Sequence, residues 1–301
     1  MNYIVKNKKA RKNKKIESIL VFFNNNRGLK LSKFLAKKNF KIYEVVTKKF
    51  LNKKILNKLN KNSRIINNLK SKNLKKFIKK SKFDLIISAG FPHIFKKDFL
   101  NLTPFGIINL HAGKLPKYKG GSPLVWQILN NEKKIGLSII KVNSTIDGGK
   151  IISHASFKNN QKDTISQVQN KADKIFLNLA FNAIKKIEKN KKFKNQTKSK
   201  SYFHQRKDDD ALINFTDSNL KIYNLVRSQS YPYKGAFFYS SGKKFRLTKC
   251  VQSNFNPKLV PGRIFKFKRR KKKIYIKCKK NSVQIVDSIP NEKFLRGVIA
   301  L

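Results

Sequence analysis

Asn109 and His111 stand two residues apart in the run Ile107-Ile108-Asn109-Leu110-His111, and Asp147 follows 38 positions after Asn109. In a strand, residues two apart share one face. An amide and an imidazole would then point the same way at the end of an apolar segment. An Asn amide can donate a hydrogen bond to a developing oxyanion. A His can shuttle a proton near neutral pH. An Asp beside that His can hold its tautomer and favour the cation. No Ser or Cys nucleophile is required if the substrate brings its own attacking group.

Elements on either side must position these three groups. The run Ser18–Phe23 (SILVFF) reads as a buried strand, and Leu29, Leu31, Phe34 and Leu35 carry helical spacing. Residues Ile42–Val46 (IYEVV) form a second strand. Phe83–Ser88 (FDLIIS) is a third, running into the tight turn Ala89-Gly90-Phe91-Pro92. The order strand, helix, strand opens a doubly wound, mostly parallel α/β sheet, which binds ligands at the carboxyl ends of its strands. Gly28 stands alone where a dinucleotide fingerprint needs several glycines, so such a site is not supported. The Gly/Pro-rich stretch 112–122 (AGKLPKYKGGS) is a loop, and Pro123 opens a helix through Leu129. Strands follow at 136–142 and 150–153, with Asp147 in the turn between them. A helix spans 163–188, with Asp163-Thr164 as caps.

Residues 189–201 (KNKKFKNQTKSKS) are polar without apolar pattern and read as a linker. Beyond it come a helix over 218–228 and short strands at 235–239, 243–250, 263–267, 273–278 and 283–287, a spacing that suggests a small OB-like β-barrel. The expected organisation is a basic disordered arm over 1–15, a catalytic domain over 16–188, the linker, and a second domain over 202–301. Thr47–Asn62 contains no Gly or Pro and reads as mostly helical.

The chain has 301 residues, 40% of them hydrophobic, which is enough for a core and argues against global disorder. Its 71 basic and 15 acidic residues leave a net charge of +56. Such charge attracts polyanions such as RNA. It also fits a composition biased toward Lys, Asn, Ile and Phe, and Lys is the poorer choice for bidentate phosphate recognition. Cys250 and Cys278 lie far apart with no CxxC pair, so no structural zinc is expected. Consecutive carboxylates at Asp208-Asp209-Asp210 point different ways and read as a solvated turn, so no metal is expected there either. The apolar run Ile19–Phe23 is too short for a signal core or a membrane span. The expectation is a soluble, cytoplasmic protein, without membrane contact, as a monomer or weak oligomer.

The stretch Ile107–Pro116 (IINLHAGKLP) resembles the signature of the folate-dependent formyltransferase superfamily. The following residues 117–152, KYKGGSPLVWQILNNEKKIGLSIIKVNSTIDGGKII, fit the same pattern. Residues 203–238, with Tyr223–Arg227 (YNLVR) and Tyr231–Phe237 (YPYKGAF), resemble that family's entry into its C-terminal domain. The resemblance implies catalytic roles for Asn109, His111 and Asp147, and 10-formyltetrahydrofolate as co-substrate. It implies a pterin pocket at Ala89, Gly90, Phe91, Ile94, Asn143, Ser144, Thr145 and Ile146. Core packing is an equally good reading of Phe91 and Ile94. Trp126 reads as helix packing beneath the site. His93 reads as a pocket-rim residue at best, and His154 and His204 as incidental.

Two branches of the family differ in the amine they formylate. The methionyl-tRNA formyltransferase branch acts on initiator methionyl-tRNA, and the sugar N-formyltransferase branch acts on nucleotide-linked amino sugars. For tRNA stand the net charge and residues 263–280, where 11 of 18 are basic. Against it stands Thr47–Asn62, which lacks the Gly- and basic-rich loop that the tRNA branch carries there. The purine-pathway relative lacks a second domain, and residues 202–301 count against it. A non-catalytic, basic RNA-binding protein is the alternative of another class. The presence of all three polar residues argues for chemistry.

Overall fold

The computed structural model describes residues 15–51, 53–197, 201–240, 242–266, 273–289 and 299–300. The arm expected over 1–15 lies outside them except for Lys15, as do residues 267–272 of the basic stretch 263–280. The described residues within Met1–Pro123, Gly136–Phe157 and Lys171–Phe203 form one compact unit. Those within Leu124–Ile135, Lys158–Asn170 and His204–Leu301 form another.

From the N-terminus the elements are β1 (Ser18–Phe22), α1 (Asn26–Ala36), β2 (Lys41–Thr47), α2 (Lys53–Leu56), β3 (Arg64–Ile66) and α3 (Lys72–Lys80). Then come β4 (Leu85–Ser88), α4 (Lys97–Leu100), β5 (Ile107–His111), β6 (Lys119–Gly120), α5 (Pro123–Leu129) and β7 (Lys134–Lys141). The series continues with β8 (Ile151–Lys158), α6 (Ile165–Glu188) and β9 (Tyr202–Phe203). Seven strands make one sheet in the order β3-β2-β1-β4-β5-β7-β8. β1 pairs in parallel with β2 and β4, β2 with β3, and β4 with β5, while β7 runs antiparallel to β5. This is the mostly parallel sheet the strand order implied.

The central strands are apolar on both faces because both are covered. Ile19, Leu20, Val21 and Phe22 are fully buried, as are Leu85, Ile86 and Ile87. α1 starts at Asn25, whose side chain accepts from the Gly28 N–H at 3.4 Å, and it buries Leu29, Leu31 and Leu35. α3 starts at Ser71, whose hydroxyl accepts from the Leu74 N–H at 3.3 Å. It buries Leu74 and Ile78, one turn apart, and leaves its lysines outward. At the start of α6, Gln167 Oε1 accepts from the Thr164 N–H at 2.8 Å, half of a capping box.

The second unit holds α7 (Asn219–Gln229), β10 (Ala236–Ser240), β11 (Lys243–Ser253), β12 (Ile264–Lys266), β13 (Ile274–Lys277), β14 (Ser282–Ile289) and β15 (Ile299–Ala300). Its six strands form one sheet, β10-β11-β14-β13-β12-β15, antiparallel except between β12 and β15. Ile222, Val226, Phe238, Leu247, Ile276 and Val283 form its core. The segment Lys158–Asn170 joins this unit through polar contacts. The buried Arg227 guanidinium donates to the Asp163 carbonyl at 3.0 Å and to Asn159 Oδ1 at 3.3 Å. The Tyr223 hydroxyl donates to the Gln161 carbonyl at 2.8 Å.

One expectation needs correction. Thr47–Asn62 is not mostly helical: after Thr47, the last residue of β2, it holds a 3-10 turn at Lys48–Phe50 and the four-residue α2, and its other described residues are turns or irregular. The stretch has no acidic residue to pair with its lysines at i+4, so helix would stack like charges. Glu44 on β2 also draws the end of the excursion inward. Its Oε2 accepts from the Asn60 N–H at 2.9 Å and from the Ser63 hydroxyl at 2.7 Å. The short edge strand β3 follows at once.

Candidate active site

β5 carries the first two groups. Ile107 and Ile108 are buried and fix the strand, with Ser88 opposite Asn109 on β4 and Ile140 opposite it on β7. Asn109 is half-buried, and His111 on the same face is 5% exposed. The turn after β4 starts beside Asn109. There the Ala89 N–H donates to the Phe22 carbonyl at 2.9 Å, and the Gly90 carbonyl accepts from the Asn24 N–H at 3.2 Å.

The loop after His111 folds back onto the imidazole. His111 Nε2 lies 2.5 Å from the Tyr118 carbonyl oxygen. Ser138 on β7 pins the loop, donating to the Gly113 carbonyl at 2.8 Å and accepting from the Leu115 N–H at 3.2 Å. A Cβ at Gly113 would stand 2.6 Å from His111 Nε2 and 2.7 Å from the Tyr118 carbonyl, so only glycine permits this closure. The fully buried Tyr118 ring stacks on Phe203 with centroids 5.0 Å apart.

Asp147 closes the constellation. Its Oδ1 lies 3.5 Å from His111 Nδ1, and its Oδ2 accepts from the Gly120 N–H at 2.9 Å. The two side chains are 5% and 12% exposed, so water screens the pair poorly. Both ring nitrogens of His111 thus face oxygens that only accept. An imidazolium, with a proton on each nitrogen, satisfies both. Asp147 adopts φ +48°, a left-handed conformation that costs a non-glycine residue roughly 1–2 kcal/mol. The turn is secured through its backbone: Gln196 Nε2 donates to the Asp147 and Gly149 carbonyls, each at 2.7 Å.

The other residues singled out in the sequence fall as follows. Phe91 packs edge-on against Phe22 at 5.1 Å and stacks on Phe95 at 5.7 Å. Ile94 and Ile146 are 67% and 45% exposed. Asn143 organises the exposed turn that bears Ser144, its Oδ1 accepting from the Thr145 N–H at 3.0 Å and hydroxyl at 2.8 Å. The His93 ring sits between Phe50 and Phe91, its Nε2 buried without a partner among the described residues. In the second unit Trp126 donates to the His204 carbonyl at 3.0 Å, and Arg206 lies 4.8 Å over its ring. The exposed His204 ring also pairs with Asp210 at 3.0 Å. The Arg246 guanidinium beside Asp208, aided by Lys244, holds that carboxyl down at about 2. Among the described residues no group of three or more His, Cys, Asp or Glu could hold a metal ion.

The sequence did not announce the Tyr118 carbonyl, the Gly120 N–H, Ser138 or Gln196. The glycines of AGKLPKYKGG hinted at close backbone approach. Nothing marked Gln196 among the other polar residues of its segment.

These features define a class: a doubly wound α/β domain with an imidazole–carboxylate pair beside an amide, groups whose chemistry includes proton transfer and oxyanion stabilisation. Comparison with known proteins makes the class specific. The model of the family described as "Formyl transferase" matches residues 7–183, and that of "Formyl transferase, C-terminal domain" matches residues 206–295. The chain belongs to the formyl transferase family. It is 35% identical over 225 residues to the bifunctional polymyxin resistance protein ArnA of Wigglesworthia glossinidia brevipalpis, covering 74% of this chain and 33% of that one. It is 32% identical over 192 residues to the methionyl-tRNA formyltransferase of Thermodesulfovibrio yellowstonii, covering 61% of each. The aligned region is thus less than two thirds of either relative's length. In fold it is similar to WlaRD, a sugar 3N-formyl transferase whose crystal structure was determined in the presence of dTDP and 5-N-formyl-THF. The TM-score is 0.67, with 20% identity, over 93% of this chain and 100% of that one.

Proposed function

We propose that this chain transfers the formyl group of 10-formyltetrahydrofolate to a primary amine, with residues 16–188 as catalytic domain and 202–301 as second domain. The observation that carries the reading is the buried His111–Asp147 contact at 3.5 Å, with Asn109 on the same strand face. The acceptor amine attacks the formyl carbon. The Asn109 amide donates to the oxyanion of the tetrahedral intermediate, and the positive charge of the His111 imidazolium, its two N–H groups held by Asp147 and the Tyr118 carbonyl, stabilises that oxyanion electrostatically. Asp147 holds the imidazolium and assists loss of the amine proton. Collapse of the intermediate returns a proton to the folate nitrogen and releases tetrahydrofolate.

The folate would lie against Ala89, Gly90, Phe91, Ile94 and Asn143, Ser144, Thr145 and Ile146. The exposed apolar side chains of Ile94 and Ile146 suit burial against a flat ring system, and Ala89–Gly90 open the turn that follows Ser88, the residue opposite Asn109 on the neighbouring strand. Phe91 fits a supporting role better than direct contact, since its ring is packed against Phe22 and Phe95.

As acceptor we favour the amino group of initiator methionyl-tRNA. The net charge of +56 and the similarity to methionyl-tRNA formyltransferase support this reading. It places the protein in translation initiation and in the cytoplasm. The fold similarity to a sugar 3N-formyl transferase supports a nucleotide-linked amino sugar as second reading. The purified chain with 10-formyltetrahydrofolate is offered initiator methionyl-tRNA and a panel of nucleotide amino sugars, and tetrahydrofolate release is followed. Release is expected with the tRNA, and release only with a sugar selects the second reading. Asn109→Ala and His111→Ala are each expected to lower turnover about 10²–10³-fold. Full turnover in either would sink the mechanism.

A further inference from the structure

Gln196 lies in the segment that reads as a linker, yet it reaches the backbone of the Asp147 turn. Its Nε2 has two hydrogens, and both are used: one on the Asp147 carbonyl, one on the Gly149 carbonyl, each at 2.7 Å. Its Oε1 is buried with no partner among the described residues, so those two bonds alone set the orientation of the amide. The first holds the carbonyl of the residue at φ +48°, and the two together bracket Gly148. The far side of the turn has no slack, since a Cβ at Gly149 would stand 1.5 Å from the Lys141 carbonyl oxygen.

The neighbours of Gln196 tie the same segment to both loops around His111. Lys194 bridges to Ile151, whose N–H donates to the Lys194 carbonyl at 3.0 Å, just after the Asp147 turn. The Ser201 hydroxyl donates to the Lys117 carbonyl at 2.6 Å, and the Phe203 carbonyl accepts from the Gly121 N–H at 2.8 Å. β9 pairs with β6 in the register Lys119 to Tyr202 and Gly120 to Phe203. Between those contacts lie the Tyr118 carbonyl that meets His111 Nε2 and the Gly120 N–H that meets Asp147.

We propose that Gln196 is a positioning residue for the formyl-transfer site: its amide locks the Asp147–Gly149 turn so that the Asp147 carboxylate stays on His111. The proposal rests on the transfer reaction inferred above. Glutamine is the side chain that fits. Asparagine is one methylene shorter, and an ionised glutamate offers no donor and sets its charge against two carbonyl oxygens. Without the lock the turn relaxes from the left-handed conformation, and the carboxylate leaves the imidazole.

The test uses the full chain and Gln196→Met, which keeps length and volume but not the donors, with Asp147→Asn as reference. The imidazole 15N signals of His111 at fixed pH report which ring nitrogens carry protons. They are assigned among the four histidines by single substitutions. In Gln196→Met they are expected to move toward their Asp147→Asn positions while His93, His154 and His204 stay in place. Turnover should fall about 10- to 100-fold, with KM for folate and acceptor changed less than about two-fold, as expected for a group acting in the transition state alone. If Gln196→Met does not fold, Gln196→Asn, whose amide cannot span both carbonyls, takes its place. Unmoved His111 signals beside a clear shift in Asp147→Asn overturn the proposal. If the parent transfers formyl to no amine offered, the transfer reading fails, and the His111 signals still decide whether Gln196 holds the Asp147 turn.

Discussion

The two units use their scarce acidic residues differently. In the first, several carboxylates are drawn inward onto backbone N–H groups. Asp84 Oδ2 accepts from the N–H groups of Glu17 and Ser18, each at 3.0 Å. Glu188 accepts from the Ile16 N–H at 3.0 Å, Glu44 from Asn60, and Asp147 from Gly120. In the second, Asp208 and Asp217 lie nearer the surface and pair with Arg246 and Lys221, while Asp210 pairs with His204 and also accepts from the Lys207 N–H at 2.6 Å. With 71 basic residues present, a surface carboxylate finds a cation wherever it stands. A carboxylate that satisfies backbone donors cannot be replaced by any of those lysines, and in the first unit Asp147 also belongs to the candidate site.

The sharpest challenge to this contrast is Asp147→Asn. Asparagine tolerates positive φ, so the turn should survive and thermal stability should change little. Turnover is expected to fall about 10²–10⁴-fold as the imidazole loses its counter-ion. A large loss of stability instead would make Asp147 a structural carboxylate like Asp84. Next in size is Asp84→Ala. It leaves two inward-facing N–H groups unpaired, a loss of about 2–4 kcal/mol, read from the denaturant midpoint.

Asp208→Ala should do much less. The pair is partly exposed, and about 1 kcal/mol or below is expected. The sign with pH follows from its direction. A carboxyl lowered to about 2 stabilises the fold above the ordinary carboxylate value and loses that contribution as pH falls through 2. The difference in melting temperature between parent and Asp208→Ala should therefore vanish in strong acid. The smallest effect concerns groups the second unit does bury. Burial pushes the Cys250 and Cys278 thiols up to about 12 and about 11. Both should resist a thiol reagent at pH 8 in the native protein and react on unfolding. Because the folded thiols hold their protons more tightly, their contribution is complete below pH 9 and is lost as pH rises toward 12.

How much was legible in the sequence depended on where the information lies. β5 was readable because Ile107 and Ile108 are apolar on both faces and Asn109 and His111 break that pattern. Asp147 was readable as a candidate from its glycine turn, and more so from the family resemblance. Gln196 was not, because a hydrogen bond to a carbonyl 49 residues away leaves no mark on local composition. Thr47–Asn62 misled for another reason. Absence of Gly and Pro was read as helix, while the fold there is set by Glu44, a charged residue in a strand whose burial the local pattern does not reveal.

Trp126 brings a practical consequence. It is the one tryptophan in the chain, with Arg206 over its ring and its indole N–H on the His204 carbonyl. Emission excited at the red edge of the absorption band therefore comes from a single place in the second unit, with 24 phenylalanines and nine tyrosines silent. The protein carries its own optical probe. A red shift that precedes loss of the far-ultraviolet signal would report the opening of the 204–210 segment before the sheets come apart.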